Sequence, residues 1–382
     1  MIMVIFSQLY IVAIATLIFV LIKLIRARRL YRFKQSHSMR PGDEDLPTIS
    51  VCLPARNETN AMTECLESVL ASNYPKLEVI VLDDNSNDNT SHLIKAFAHA
   101  GVRFIKGDPL PDDWLGKNYA LETLLGDVSG KYVLFMDVDT RLSSDSISLL
   151  VVDLMEKGVA MSSVIPQRYD MQRLSAWFGT LRYFWELVLS SRVRPGASSA
   201  VWIIERQVLQ DELGGLGRWR DEVQPELHLA AELAKTQDYS LIISTPELGI
   251  HYAKKWLSQI ETARRLLLPR FYNSTVSVLI GLGLLITILL PQAIVTVAII
   301  SGDWSIVWVE LIVGVLAGLA VAFYCRLVWV SRWWIGLIVA PYTVWQEFWL
   351  LISSAVGYRL GTITWKGRLV ARPVRKRTAN SI

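Results

Sequence analysis

Two stretches of the chain, residues 4–22 and 274–357, constrain everything between them. The first has no charged side chain and the second is almost free of charge. Runs of about 20 apolar residues are long enough to cross a bilayer as helices. The composition agrees: 52% of residues are hydrophobic and 19% charged, against about 45–50% and about 25% in a typical soluble protein. A wholly soluble protein and a disordered one are both excluded. Residues 47–272 have ordinary composition. They read as one globular domain of about 226 residues, enough to bury a sizeable core.

Residues 1–25 read as a retained N-terminal anchor, because charges only follow the apolar run and no cleavage site is evident. Lys23, at the end of the anchor, and Arg26, Arg28, Arg29, Arg32 and Lys34 of the 26–47 linker directly follow the apolar run, and the linker ends in a polar stretch with Pro41, Gly42 and Pro47. The positive-inside rule then puts the domain on the cytoplasmic face of the cytoplasmic membrane. Lys366, Arg368, Arg372, Arg375, Lys376 and Arg377 make the 358–382 tail basic, and anionic lipid is the expected partner of both clusters. Three C-terminal apolar runs are expected near 274–300, 305–324 and 333–357, with breaks at SGDW and SRWW. Four full crossings would put the basic tail outside, so the last run, with Pro341, Tyr342, Trp345, Gln346 and Glu347, is expected to be re-entrant or interfacial. Cys52, Cys65 and Cys325 form neither a zinc spacing nor a disulfide framework. No basic aromatic stripe marks a nucleic-acid partner.

Within the domain, apolar runs alternate with helical patterns. ISVCLPARNE, LEVIVLDDNS, VRFIKG and KYVLFMDVDT read as strands, while residues 59–73, 90–100 and 116–128 read as helices. That order predicts an α/β fold with a mostly parallel sheet, whose ligands bind beyond the C-terminal strand ends. Arg56–Glu58, Asp83–Asp84 and Asp137–Asp139 all fall there. Residues 171–194 repeat Leu174, Trp177, Phe178, Leu181, Trp185, Val188 and Leu189 at helical spacing. This is either a core-facing helix or an interfacial one dipping an aromatic face into the bilayer.

The strand-end chemistry is specific. Asp137 and Asp139 form an acid-x-acid pair, suited to a hard divalent cation that keeps waters and bridges phosphate oxygens. Asp83 and Asp84 can accept hydrogen bonds from a base or a ribose. Lys117, at a helix start, can approach a diphosphate as a point charge.

In order, Pro54-Ala55-Arg56-Asn57-Glu58, Asp83-Asp84-Asn85-Ser86, Leu115-Gly116-Lys117 and Asp137-Val138-Asp139 resemble the motifs of the family 2 glycosyltransferases of the GT-A fold, over residues 48–255. PLPDDWLGKNYA, the C-terminal spans and TWKGR look more narrowly like the membrane branch that glycosylates lipids, including carotenoid, hopanoid-associated and ceramide glucosyltransferases. The resemblance implies a 48–272 GT-A domain and an inverting, metal-dependent transfer from a nucleotide sugar (UDP- or GDP-linked) to a membrane lipid hydroxyl. Pro54, Arg56, Asn57, Glu58, Asp83, Asp84, Lys117 and Asp137 would bind the donor, and Asp137 with Asp139 would hold Mg2+ or Mn2+. His251 is either a further metal or phosphate ligand or a structural residue.

Two departures stand out. Relatives carry an acidic pair before x-x-Leu-Ala, where aligning Leu229-Ala230 puts Pro225 and Glu226. Glu226 is then the expected base, one methylene longer than Asp, with Asp221 and Glu222 as alternatives and a plain helix-start acid as the bland reading. The Gln-x-x-Arg-Trp motif of processive synthases is absent, which argues for a single transfer. Transfer to a polyprenyl phosphate, received by Arg192 and Arg194, is the alternative; a catalytically impaired scaffold that binds nucleotide sugar is a third.

Overall fold

The computed structural model describes residues 2–35, 42–301 and 307–370. Pro41, the SGDW break and tail residues from 371 onward, including Arg372, Arg375, Lys376 and Arg377, lie outside the described residues.

The chain opens with a long helix, α1 (Ile2–Tyr31), and enters the sheet at β1 (Ile49–Ala55). There follow α2 (Met62–Leu70), β2 (Leu77–Asp83), α3 (Thr90–Ala96), β3 (Val102–Lys106), α4 (Gly116–Asp127) and β4 (Tyr132–Met136). The expected strands and helices of this half are all present. Next come β5 (Thr140–Leu142), α5 (Ser146–Lys157), β6 (Met161–Ile165) and β7 (Gln167–Arg168). Two short helices, α6 (Leu174–Trp177) and α7 (Phe184–Val188), precede β8 (Val201–Glu205), α8 (Pro225–Leu233), β9 (Tyr239–Ile243) and β10 (Ile250–Tyr252). The last part holds α9 (Trp256–Arg270), α10 (Thr275–Ser301), α11 (Val307–Val328), α12 (Ile335–Arg359) and a hairpin of β11 (Thr364–Trp365) and β12 (Arg368–Leu369).

Seven strands form one sheet in the order β3-β2-β1-β4-β8-β6-β9. β1 runs parallel to β2 and β4, and β2 to β3, while β8 is antiparallel to both of its neighbours. Both faces are covered, which is why VCL and YVLFM are continuously apolar rather than alternating. On one face Val51, Leu53, Leu134 and Ile203 pack under α2 and α5; on the other Cys52, Phe135 and Trp202 pack under α4 and α8. Phe135 and Trp202 stack with centroids 4.3 Å apart. All three cysteines are free and buried.

The α1, α11 and α12 helices contain segments long and apolar enough to cross a membrane: Gln8–Tyr31, Leu311–Val328 and Ile335–Arg359. The 333–357 run, expected to be re-entrant or interfacial, forms one unbroken helix, α12, long and apolar enough to cross a membrane, with Pro341 in its second turn. A Cβ on Gly336 would meet Ala322 Cα at 2.8 Å, so α11 and α12 approach at backbone distance. The break lies earlier, where α9 and α10 meet at a 118° bend. Tyr272 and Asn273 make that turn with φ of 61° and 53°.

Residues 171–194 form neither of the helices expected. Their aromatic repeat marks burial, not a continuous helix: Leu181, Tyr183, Phe184, Leu187 and Val188 join a core shared with α1, α11 and α12. The helix breaks because the amides of Leu181 and Tyr183 bond side chains of α12 and α11 instead of preceding carbonyls.

Candidate active site

The C-terminal ends of β1 and β4 open on a cavity of about 430 Å³, whose lining does not include Asp83 or Asp84 at the end of β2. Pro54, Asn57, Glu58, Lys117, Asp137 and Asp139 line it, as the sequence predicts. At its edge the Arg56 guanidinium donates to the carbonyls of Asp84 and Asn85 and ties the first two loops together.

The two aspartates after β2 have different jobs. Asp83 accepts from Ser86 N and Ser91 Oγ, so both its oxygens serve its own loop. Asp84 is buried and accepts from Arg368 at 2.6 Å. Burial pushes its carboxyl up, and the Arg368 guanidinium pulls against that rise. Of the pair, Asp84 is the one free of its own loop.

Lys117, in the first turn of α4, contacts Asp137 Oδ1 at 2.5 Å, and Arg182 Nη2 lies 3.7 Å from Asp137 Oδ2. Asp137 is thus flanked by a cation on each oxygen. Asp139 meets Lys254 at 2.9 Å through Oδ2, while its buried Oδ1 has no hydrogen-bond partner. Burial would raise the Asp139 carboxyl, but Lys254 and Arg182 outweigh it and hold it well below the usual carboxylate range. Among the described residues no three His, Cys, Asp or Glu side chains gather into a metal cage. The orphaned Asp139 oxygen still fits a hard cation that takes one or two carboxylates and completes its shell with phosphate and water.

His251 does not join this set. It sits on β10, edge-on to Tyr169, outside the cavity lining, and burial lowers its imidazole pKa. Glu226, also outside the cavity lining, is buried in the first turn of α8, preceded by Pro225 at a position where proline suits a helix start. Burial raises its carboxyl, and the field of Lys117 opposes that rise. Asp221 is exposed, and Glu222 lies 3.5 Å from His228 Nε2, so neither matches the enclosure of Glu226.

Several residues of the site have another role, or none, in the sequence reading. Arg182 comes from the 171–194 segment, which reads as a core-facing or interfacial helix, and Lys254 and Arg265 are assigned no role there. Lys366 and Arg368, expected to meet lipid head groups, instead belong to the crevice. Lys366 pairs with Glu58 at 2.9 Å, and Trp365 lies under the Arg265 guanidinium. A Cβ on Gly116 would sit 2.6 Å from Arg368 Nη1, so this hairpin lies directly against the α4 start. Arg192 and Arg194 are exposed and away from the cavity; Arg194 covers the Tyr272 ring at 4.1 Å.

Residues 50–210 match the family model described as glycosyl transferase family 2. The chain is 32% identical over 114 residues to a 4,4'-diaponeurosporenoate glycosyltransferase of Staphylococcus haemolyticus, covering 30% of each. It is 29% identical over 122 residues to a poly-beta-1,6-N-acetyl-D-glucosamine synthase of Staphylococcus epidermidis, covering 32% of this chain and 29% of that one. The matched region therefore spans less than a third of either curated relative. In fold, the chain is similar to a mannosyltransferase of Pyrobaculum calidifontis solved with GDP-Man and Mn2+, with a TM-score of 0.59, 19% identity, and coverage of 92% of this chain and 98% of that one. Residues 50–210 thus match the glycosyl transferase family 2 model, and the chain shares the α/β GT-A fold.

Proposed function

We propose that this protein transfers a sugar from a nucleoside-diphosphate sugar to a hydroxyl of a membrane lipid, with inversion at the sugar carbon, on the cytoplasmic face of the membrane. The observation that carries this reading is the cavity wall itself: Lys117, Asp137 and the orphaned Asp139 oxygen stand at one end, and α9 borders the other.

In this reading Asp84 and Arg56 hold the nucleoside end of the donor. Lys117 swings from Asp137 to the diphosphate. Asp139, with Asp137, would hold Mg2+ or Mn2+, which when bound neutralises charge developing on the departing diphosphate. Glu226 takes the acceptor proton, its buried carboxyl being more basic than an exposed one. The hairpin residues Trp365 and Lys366 shield the crevice from water. At the rim, exposed Leu174, Trp256 and Leu257 offer an apolar approach for a lipid.

The test is direct. Full-length protein in nanodiscs, given labelled UDP- and GDP-sugars, Mn2+ and a lipid extract, forms a labelled lipid identified by mass spectrometry. Absence of labelled lipid with every donor overturns the reading.

One observation favours a second acceptor. Arg173, Lys255 and Arg265 also line the cavity, and none has a carboxylate at ion-pair distance among the described residues. Such a surface suits a polyprenyl phosphate, which needs no base. A labelled product formed by a Glu226→Gln variant would select it.

A further inference from the structure

Arg182 reaches Asp137 from a segment whose backbone is held by membrane helices. Residues 180–185 cross between the catalytic sheet and the α11–α12 pair. Leu181 N donates to Glu347 Oε1 at 2.9 Å, and Trp185 Nε1 donates to Glu347 Oε2 at 3.0 Å. Tyr183 N donates to the Tyr324 hydroxyl of α11 at 3.2 Å. The two residues flanking Arg182 are thus fixed by two different helices. The Arg182 side chain is 4% exposed, lies over the Tyr183 and Tyr252 rings at 5.0 and 5.1 Å, and ends 3.7 Å from Asp137 Oδ2. Glu347 is itself buried, and both its oxygens are spent on this strap.

We propose that Glu347 is a positioning residue for the active site: by fixing residues 181 and 185 it sets Arg182 against Asp137. A buried carboxylate in an apolar helix is costly unless its hydrogen bonds are made. Here its two bonds converge on the segment that carries the arginine. The inference rests on the reading of Asp137 as a donor-site carboxylate. It adds that the last long helix contributes to catalysis without touching substrate.

A double-variant cycle tests it. Glu347→Ala and Arg182→Ala each lower kcat by about 10- to 100-fold, the range for residues that orient a metal-binding carboxylate. The double variant is no slower than the slower single, because both remove one coupled feature. Glu347→Gln, which keeps one acceptor oxygen, falls between wild type and Glu347→Ala. Leu351→Ala, in the core of the same helix, lowers the melting temperature and leaves kcat within about twofold. Multiplicative losses in the double variant, or wild-type kcat in Glu347→Ala, overturn the proposal. A cryo-EM structure of full-length Glu347→Ala in nanodiscs decides independently of turnover, with Glu347→Gln used if the alanine variant does not fold. Arg182 beyond ion-pair distance of Asp137 supports the inference, and Arg182 unmoved overturns it. Should the wild-type protein turn over no donor, the function proposed above fails and that structure alone decides this inference.

Discussion

The Arg368 guanidinium donates to the Asp84 carboxylate at 2.6 Å, joining two residues 284 apart in the chain. Asp84 directly follows the second strand of the sheet, and Arg368 follows the last long helix. The two must therefore lie on the same side of any membrane the chain crosses. An even number of crossings then separates them. With α11 and α12 as that pair, the bent α9–α10 unit enters and returns or stays at the surface.

A C-terminal reporter should therefore read out on the same side as one inserted in the catalytic domain. Alkaline phosphatase or fluorescent-protein fusions after residue 370 and at an exposed turn such as 235–237 make the comparison. Opposite sides would exclude the even count.

The Asp139 oxygen without a partner predicts a steep loss on neutralising that residue. Asp139→Asn should lower transfer by at least about a hundredfold, since even groups that merely orient metal ligands cost about 10- to 100-fold. Mn2+ titration followed by electron paramagnetic resonance should show weaker binding in the same variant. Unchanged Mn2+ affinity would remove Asp139 from the proposed ligand set.

As the base of the proposed reaction, Glu226 would set the pH dependence. Burial favours its protonated form and raises its pKa, while a base must be ionised. The rate should fall as pH drops through that raised value, so the acid limb lies above the ordinary glutamate pKa of about 4.3. Glu226→Gln should remove transfer to a hydroxyl, and Glu226→Asp should retain a reduced rate. A pH–kcat profile with its acid limb at the ordinary value would contradict the assignment.

Two ion pairs hold the β11–β12 hairpin to the crevice, Lys366 with Glu58 and Arg368 with Asp84. Both are partly exposed, so each contributes about 1 kcal/mol or less. Glu58→Gln combined with Asp84→Asn should raise chymotryptic cleavage after Trp365 by up to about tenfold, as a shift of about 1.4 kcal/mol implies. Unchanged cleavage would mean that apolar packing alone holds the hairpin.

The sequence by itself determined the sheet and the ends of its strands. VCL, VIVL and YVLFM are apolar throughout because both sheet faces are covered, and the acids fall where the chain leaves that cover. Pro54, Asn57, Glu58, Asp137 and Asp139 were legible for that reason, since local pattern fixes where a strand stops, and Lys117 was legible from its place at a helix start.

Tertiary structure decided what local pattern does not encode. Residues 171–194 kept helical spacing without forming one helix, because Glu347 and Tyr324 supply acceptors that replace helical carbonyls. Lys366 and Arg368 looked like a lipid-facing tail, yet carboxylates some 300 residues earlier claim them. Charge pairing acts through space, at distances set by the fold rather than by sequence separation. The apolar runs identified membrane-length helices; only their packing shows that they also hold the arginine beside the acidic pair.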